Sequence, residues 1–302
     1  MALTSGEGDP MAQSTVLAEG ITFGEGPRWH DGKLWFSDFY DNAVKTCTTD
    51  GIVEVAFHTP HQPSGLGWLP DGRMLIVSMQ DRTLLRREPD GTLVIHADLN
   101  SLATWHANDM VVDAQGRAYV GNFGFDLDTA LATRTWEEVA VDHATAILAR
   151  VDPDGTVHAV AEGLDFPNGA VITPDGRTLI IAESMAARLT AFDIAADGTL
   201  SNRRVWAAFD GGRAADGICL DADGQVWVAN PSANEAVRVR EGGEIAAIIE
   251  TTQPAVACML GGPDGRTLFI LTSDSFDEAT CAASRGGKVE VATVSSPRAG
   301  RP

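Results

Sequence analysis

The chain has 302 residues, of which 44% are hydrophobic, so it is long enough for one large or two small soluble domains. Its 42 acidic and 22 basic residues give a formal net charge of −20, which argues against nucleic acid or an anionic membrane as a partner, because both attract a basic surface. The sequence shows no signal peptide, no membrane-spanning apolar run and no zinc-type cysteine spacing, so we expect a cytoplasmic protein whose four cysteines are reduced.

The two ends of the chain differ from the rest in composition. Residues 1–14 and 295–302 are rich in Gly, Pro, Ser and charged residues, and such terminal segments commonly fray. We therefore predict a flexible N-terminus over residues 1–14, one folded domain over residues 15–294 and a flexible C-terminus over residues 295–302.

A repeat runs through the folded domain. A turn that ends in Gly and is followed by a short apolar run occurs six times, at Gly32, Gly72, Gly116, Gly176, Gly224 and Gly265. In all but the third copy the turn is Asp-Gly, which strongly favours a β-hairpin because Gly accepts the positive φ that the turn requires. A second turn follows in each unit, at Gly51, Gly91, Gly155, Gly198, Gly243 and Gly287.

Two hairpins per unit predict a four-stranded blade. The first-turn glycines lie 40 to 60 residues apart, which is close to the length of one propeller blade. Six such units predict an all-β fold, a six-bladed β-propeller with four-stranded blades around a central channel. A β-sandwich would explain the strands but not the repeat, and a parallel β-helix would repeat at a much shorter period.

The third unit is longer than the others, and the excess lies within residues 123–147. An insertion in one blade forms a loop on one face of a propeller. Two roles are open for it: a lid over the channel, or a flap that packs against the protein or against a second copy in a dimer.

A polar residue recurs at one position of the repeat, shortly before the first turn of each unit. Glu25, Asn108, Asn168 and Asp216 occupy this position in four units. Because equivalent positions are related by the propeller axis, we expect these side chains to form a ring beside the channel. Two carboxylates and two amide oxygens suit Ca²⁺, Mg²⁺ or Mn²⁺, and carboxylates also bind Zn²⁺. The alternative is that these residues only form turns, as Asn and Asp often do at strand ends.

Four segments of the sequence resemble one known family. Phe23-Gly24-Glu25-Gly26-Pro27, Asn108-Asp109-Met110-Val111, Phe166-Pro167-Asn168-Gly169 and Ala215-Asp216-Gly217-Ile218 are similar to the gluconolactonase/senescence marker protein (regucalcin)/luciferin-regenerating-enzyme family. The resemblance covers roughly residues 17–292. It implies a six-bladed propeller with one divalent metal ion in the channel, held by Glu25, Asn168 and Asp216, with Asn108 as a fourth ligand or a substrate contact.

One position departs from the family pattern. Sugar-lactonase members commonly carry Arg two residues before the Asn of the third unit, where this chain has His106. Arg is a permanently charged, fork-shaped donor, whereas His is shorter and titrates near pH 6.5. This difference puts gluconolactone itself in doubt as the substrate and favours a less polar lactone or ester. His106 and the adjacent Trp105 are candidate substrate contacts; Trp105 could instead belong to the core.

Metal-assisted hydrolysis of a lactone or ester is the function that these residues predict. Asp216 is the first candidate for the general base and His106 is the second. The predicted partner is a small lactone or ester, and the protein is expected to be a monomer or a small homo-oligomer. The alternatives are a phosphoester hydrolase or another channel-site enzyme of the same fold, and a calcium-binding propeller without catalysis.

Overall fold

The structure, a computed structural model, describes residues 11–302 as a ring of six sheets. The chain begins with two strands that belong to the last two blades, β1 (Ala12–Gln13) and β2 (Thr15–Ile21). The first blade is a four-stranded antiparallel sheet: β3 (Gly24–His30), β4 (Lys33–Asp38), β5 (Ala43–Cys47) and β6 (Val53–His58). A short 3₁₀ helix, Phe39–Asp41, joins its second and third strands.

The next two blades repeat this meander. The second contains β7 (Pro63–Trp68), β8 (Met74–Ser78), β9 (Thr83–Arg87) and β10 (Leu93–Asp98). The third contains β11 (Ala107–Val112), β12 (Ala118–Asn122), β13 (Ala146–Val151) and β14 (Val157–Leu164). Its long connection carries two short helices, α1 (Leu127–Leu131) and α2 (Trp136–Val141), where the sequence predicted an insertion. Helix α2 begins with a capping box in which Thr135 and Glu138 each bond the other's backbone N–H.

The last three blades complete the ring. The fourth contains β15 (Pro167–Ile172), β16 (Thr178–Glu183), β17 (Arg188–Ile194) and β18 (Leu200–Ala208). The fifth contains β19 (Ile218–Leu220), β20 (Val226–Asn230), β21 (Glu235–Val239) and β22 (Ile245–Glu250), to which β1 adds in parallel. The sixth contains β23 (Ala255–Gly261), β24 (Thr267–Thr272), the helix α3 (Glu278–Ser284) and β25 (Gly287–Thr293).

The sixth blade takes its outermost strand from the other end of the chain. Strand β2 pairs antiparallel with β25, so the N-terminal and C-terminal parts of the chain share one sheet and close the ring. Gly287 begins β25, and the prediction of a second hairpin turn there was therefore wrong. The sequence signal was misleading because the fourth strand of this blade lies more than 260 residues earlier in the chain.

The repeat otherwise predicted the architecture, and the six-bladed propeller is confirmed. All six first-turn glycines have positive φ, between 70° and 87°, and the other five second-turn glycines have positive φ between 83° and 96°. The core lies between neighbouring blades. Tyr119 of the third blade, for example, packs with Leu179 of the fourth in one fully buried cluster.

The predicted terminal segments are described only in part. Residues 1–10 of the predicted N-terminal tail lie outside the described residues, whereas Ala12–Gln13 forms β1. Near the other end, Arg298 donates its backbone N–H to the carbonyl of Gly265, and Arg301 exchanges two backbone hydrogen bonds with Ile172. Residues 298–301 are thereby attached to the face that carries the Asp-Gly turns. None of the helices within residues 11–302 is long and apolar enough to cross a membrane.

Candidate functional site

The polar residues of the repeat lie where the innermost strands begin, at the face opposite the Asp-Gly turns. The second and sixth blades have a β-bulge at this point. Three of the four blades that carry these polar residues have one as well, because the pairing of the first two strands shifts after Glu25, between Ala107 and Met110, and between Pro167 and Ala170. A bulge turns a side chain out of the regular alternation of a strand and is common beside functional sites. The bulges of these three blades contain or begin at Glu25, Asn108 and Asn168.

Glycines beside these residues allow neighbouring blades to approach closely. A Cβ atom on Gly169 would lie 2.6 Å from the backbone oxygen of Asp216, and one on Gly217 would lie 2.6 Å from the Cα of Ala257. Such distances are too short for any side chain. The glycines that follow Glu25, Asn168 and Asp216 therefore let successive blades approach closely around the channel, whereas Asn108 is followed by Asp109.

These residues share one cavity of about 630 Å³. Glu25, Asn108, Asn168, Asp216 and His106 all line it. The other lining residues form its walls and rim: Phe23, Phe39, Tyr40, Gln62, Met79, Gln80, Phe123, Leu127, Asp128, Leu131, Trp136, Phe166, Ser184, Pro231, Ser232, Phe276, Asp277 and Glu278. A volume of this size is typical of a small-molecule site.

The two carboxylates in the cavity are buried, at 7% exposure for Glu25 and 8% for Asp216. Burial raises the pKa of Glu25 well above its usual value, and the negative charge of Asp216 raises it further. Burial and the nearby charge of Asp109 likewise raise the pKa of Asp216. The Glu25 carboxylate accepts the N–H of Gly26 at 3.0 Å, but Oδ1 of Asp216 has no hydrogen-bond partner. Burial and mutual repulsion therefore disfavour the ionised forms of these carboxylates, and no Lys or Arg among the described residues lines the cavity to offset this.

The two amides are held by serines. Asn168 donates Nδ2–H to Oγ of Ser184 at 3.2 Å, which leaves its carbonyl oxygen for another contact. Ser64 donates to Oδ1 of Asn108 at 3.3 Å, while Nδ2 of Asn108 is buried without a partner. Because the two ends of an Asn amide are assigned from their hydrogen bonds, exchanging them would let Nδ2–H donate to Ser64 and turn the oxygen towards the cavity.

The residue set fits a divalent cation. Within residues 11–302, no three His, Cys, Asp or Glu side chains form a metal cluster, so a cation here needs the amide oxygens as well. Glu25 and Asp216 supply charge, and Asn108 and Asn168 supply neutral oxygens, which together make a hard donor set. The partnerless oxygen of Asp216 is the kind of buried acceptor that a cation would satisfy.

An ion pair lies beside this set. The Arg28 guanidinium contacts Asp109 Oδ1 at 2.6 Å and also bonds the backbone carbonyls of Leu66 and Met110. Both charged side chains are buried, and Asp109 also accepts the N–H of Met110. Arg28 therefore ties the first three blades together, with Asp109 as its charge partner.

His106 lines the cavity, whereas Trp105 does not. The Trp105 ring stacks on the His106 ring with centroids 5.0 Å apart, and Phe123 contacts His106 edge-on at 5.8 Å. Burial lowers the pKa of His106, so the ring is neutral at pH 7. Trp105 thus supports His106 from outside the cavity, and the structure does not place it where a direct substrate contact was predicted.

The insertion forms part of the cavity wall. Leu127 and Leu131 of α1 and Trp136 of α2 line the cavity, a position that fits the lid role. The sequence analysis missed the opposite wall, where Phe23, Tyr40 and Phe276 meet. These residues come from the two ends of the chain, so no local pattern could have grouped them.

Comparisons with known proteins point to one family. The family model described as "SMP-30/Gluconolactonase/LRE-like region" matches residues 23–274. Regucalcin from Xenopus laevis is 25% identical over 272 residues, which is 87% of each chain. Pentonolactonase XacC from Haloferax volcanii is 25% identical over 273 residues, covering 87% of this chain and 86% of its own.

A solved structure shares the fold. The calcium-binding protein regucalcin from Agrobacterium tumefaciens superposes with a TM-score of 0.78 at 21% identity, covering 96% of this chain and 98% of its own. At this identity the likeness establishes the propeller fold alone.

Proposed function

Because this chain belongs to the SMP-30/gluconolactonase/LRE-like family, we propose that it is a metal-dependent hydrolase that opens a small lactone or a related ester in its channel. The lactonase activity named for the Haloferax volcanii relative supports this reaction class. The proposed metal ligands are Glu25, Asn168 and Asp216, with Asn108 as a fourth ligand or a substrate contact.

The observation that carries the proposal is the pair of buried carboxylates in the cavity. Glu25 and Asp216 repel each other, and Oδ1 of Asp216 has no partner. Burying unpaired charge is costly, so a fold that served only as a scaffold would gain stability by replacing these residues. A cation bound in the cavity would offset this cost, because it would pair with the charges of Glu25 and Asp216.

A divalent cation held by these residues would polarise the substrate carbonyl and stabilise the negative charge that develops on its oxygen. The protein side chains would handle the proton. As water attacks the carbonyl carbon, Asp216 would accept the proton, with His106 as the second candidate. The ring C–O bond then breaks, and the proton passes to the leaving alkoxide to give a hydroxy acid.

The test is hydrolysis of a lactone panel by purified protein, followed with a pH indicator. Sugar-acid, aliphatic and aromatic lactones would be compared before and after chelation, with Ca²⁺, Mn²⁺, Mg²⁺ and Zn²⁺ added back. We expect acid release that stops on chelation and returns with metal. Binding of each metal would be measured in parallel by calorimetry, with Asp50→Asn as a control, because Asp50 is an exposed acid in the β5–β6 turn outside the cavity.

Two results would contradict the proposal. Acid release that is unaffected by chelation would remove the metal from the reaction. Bound metal without hydrolysis of any lactone or simple ester would favour a calcium-binding protein without this activity.

A further inference from the structure

Besides the metal-ligand candidates, two groups of apolar side chains form walls of the cavity. The first wall consists of Phe23, Phe39, Tyr40 and Phe276, whose rings pack around Phe23 at centroid distances of 5.4 to 5.7 Å. The second wall consists of Phe123, Phe166, Leu127, Leu131 and Trp136, with Phe123 and Phe166 only 4.3 Å apart. Both walls line the same cavity as the ring of polar residues, so a substrate that fills the cavity would contact them.

Hydroxyl groups in the walls are already used by the protein. Tyr40 donates to the backbone oxygen of Phe276 at 2.8 Å, and Ser184 donates to the backbone oxygen of Ala215 at 2.7 Å. The His106 ring stacks on Trp105 and contacts Phe123 edge-on, so it lies between two aromatic rings. Where it lies against the two walls, a substrate with many hydroxyl groups would lose water contacts and regain few of them, because only Tyr40 and Trp136 among the wall residues carry a polar side-chain atom.

The charges at the mouth of the cavity are negative. Of the residues within 11–302, no Lys or Arg lines the cavity, while Asp128 of α1 and Asp277 and Glu278 at the start of α3 do. These acids come from both walls. Burial raises the pKa of the Tyr40 phenol, and the nearby Cys281 and all three acids raise it further, which agrees with the position of the acids beside this wall. An anionic substrate would be repelled at the mouth.

We propose that this cavity selects an uncharged lactone or ester with a flat apolar group, and that it discriminates against anionic and polyhydroxylated lactones. The inference rests on the proposed hydrolase function and specifies its substrate class. The apolar group would lie between the two walls while the carbonyl faces the polar ring. Aromatic faces and edges suit an aryl group in this position.

The experiment uses the metal-loaded protein and three lactones: dihydrocoumarin, the same lactone with a ring carboxylate, and gluconolactone. We expect kcat/KM for dihydrocoumarin to exceed that for each of the others by about 100-fold. Comparable values for gluconolactone or for the carboxylated lactone would overturn the substrate class while leaving the hydrolase function intact. Failure to hydrolyse any of the three, with metal bound, would contradict the hydrolase function, and the selection would then be decided by the binding measurement.

Binding without turnover separates these two failures. The lactam analogue of dihydrocoumarin, which resists hydrolysis, would be titrated by calorimetry beside its carboxylated form. Tighter binding of the neutral lactam by about tenfold or more supports the selection even if no lactone is turned over. Equal binding of the two lactams would overturn it.

Variants of the walls and of the rim identify the source of the selection. Trp136→Ala should lower kcat/KM for dihydrocoumarin about tenfold through KM and affect the small γ-butyrolactone much less. The double variant Asp128→Asn/Glu278→Gln should raise the ratio of kcat/KM for the carboxylated lactone to that for dihydrocoumarin about fivefold to tenfold. Asp50→Asn removes a charge outside the cavity and should leave this ratio unchanged. If Trp136→Ala lowered kcat/KM equally for dihydrocoumarin and γ-butyrolactone, the wall would not select the apolar group. If the double variant left the ratio of kcat/KM for the carboxylated lactone to that for dihydrocoumarin unchanged, the rim acids would not exclude anions.

Discussion

Two sets of polar side chains lie at the same face of the propeller, and they differ in whether the protein itself satisfies them. The inner set begins or precedes the innermost strands: Glu25, Asn108, Asn168 and Asp216. The outer set ends the second strand of a blade: Asp38, Asn122, Glu183 and Asn230. Each set has one member in the first, third, fourth and fifth blades. A regular position in the repeat therefore does not by itself distinguish a functional ring of residues from a structural one.

Every member of the outer set has protein partners. Asp38 accepts the N–H of Thr22 at 3.1 Å and pairs with Lys45 at 2.6 Å. Glu183 accepts the N–H of Asp165 at 2.8 Å and pairs with Arg188 at 2.9 Å. Asp38 and Glu183 thus fasten the segment that leads into their own blade, as Asn230 does through the N–H of Ala214.

The two sets can be told apart by whether each buried polar atom has a hydrogen-bond partner within the protein. Buried polar groups with a structural role are almost always satisfied within the protein. Partnerless buried atoms occur in the inner set, on Asp216 and Asn108, and both of these residues line the cavity. The predictions below test whether the two sets divide in this way.

The largest effect is expected for Asp216→Asn. It keeps the size of the side chain but removes a ligand charge and the first candidate base, so we expect kcat for the best lactone to fall by about 1,000-fold or more. In chelator the same variant should unfold at a higher temperature than the natural protein, because a buried charge without a partner is gone. Full turnover with metal bound would contradict the role of Asp216.

Glu183→Ala is expected to act in the opposite way. It leaves two arginines, Arg188 and Arg203, without the buried acid that they contact, and should lower the free energy of unfolding by about 3–5 kcal/mol. Urea unfolding of metal-free protein measures this loss. Glu162→Ala, an exposed acid on β14, is the control and should change the free energy by less than about 0.5 kcal/mol.

The pH dependence of the Glu183 contribution has a definite sign. Burial acts to raise its pKa, but hydrogen bonds from Arg188 and Thr190 outweigh burial and the pKa is lowered. Its contribution is therefore present above the ordinary value of 4.5 and declines as the pH falls below it. A difference between Glu183→Ala and the natural protein that grew on acidification would contradict this assignment.

Gly217→Ala tests whether close contact between blades positions the inner set. The added Cβ would meet the Cα of Ala257 at 2.6 Å, so we expect a loss of about 1–3 kcal/mol and weaker metal binding, because Asp216 is adjacent. Gly224→Ala is the matched control, since this turn glycine has positive φ but open space around it. The control should lose stability without losing metal affinity, as measured by calorimetry; equal metal affinity in both variants would contradict the positioning role.

The smallest effect is expected for Asp41→Asn, near the outer set but partly exposed. Hydrogen bonds from Arg285 and Lys45 lower the pKa of Asp41 to about 2. Its contribution, about 1 kcal/mol at most, should be present above pH 4 and fade as the pH falls towards 2. Urea unfolding of this variant and the natural protein at pH 7 and pH 3 gives the comparison; a difference that is larger at pH 3 would contradict it.

The sequence alone determined the repeat and therefore the fold. Asp-Gly turns at blade-length spacing require positive φ at fixed positions, and this local constraint is visible in the residues themselves. The same phase predicted that Glu25, Asn108, Asn168 and Asp216 would meet, and they share one cavity. That they bind a metal stays a prediction.

Only the tertiary structure decided how the ring closes and what surrounds the site. Strand β2 completes the sixth blade, and Phe23 meets Phe276 in one wall, although more than 250 residues separate each pair in the chain. Trp105 lies behind His106 and not in the cavity. Such contacts join distant segments, and the hydrogen bonds that satisfy Asp38 but not Asp216 depend on backbone groups brought by other strands. No local pattern carries this information, because it arises only when the blades pack around the channel.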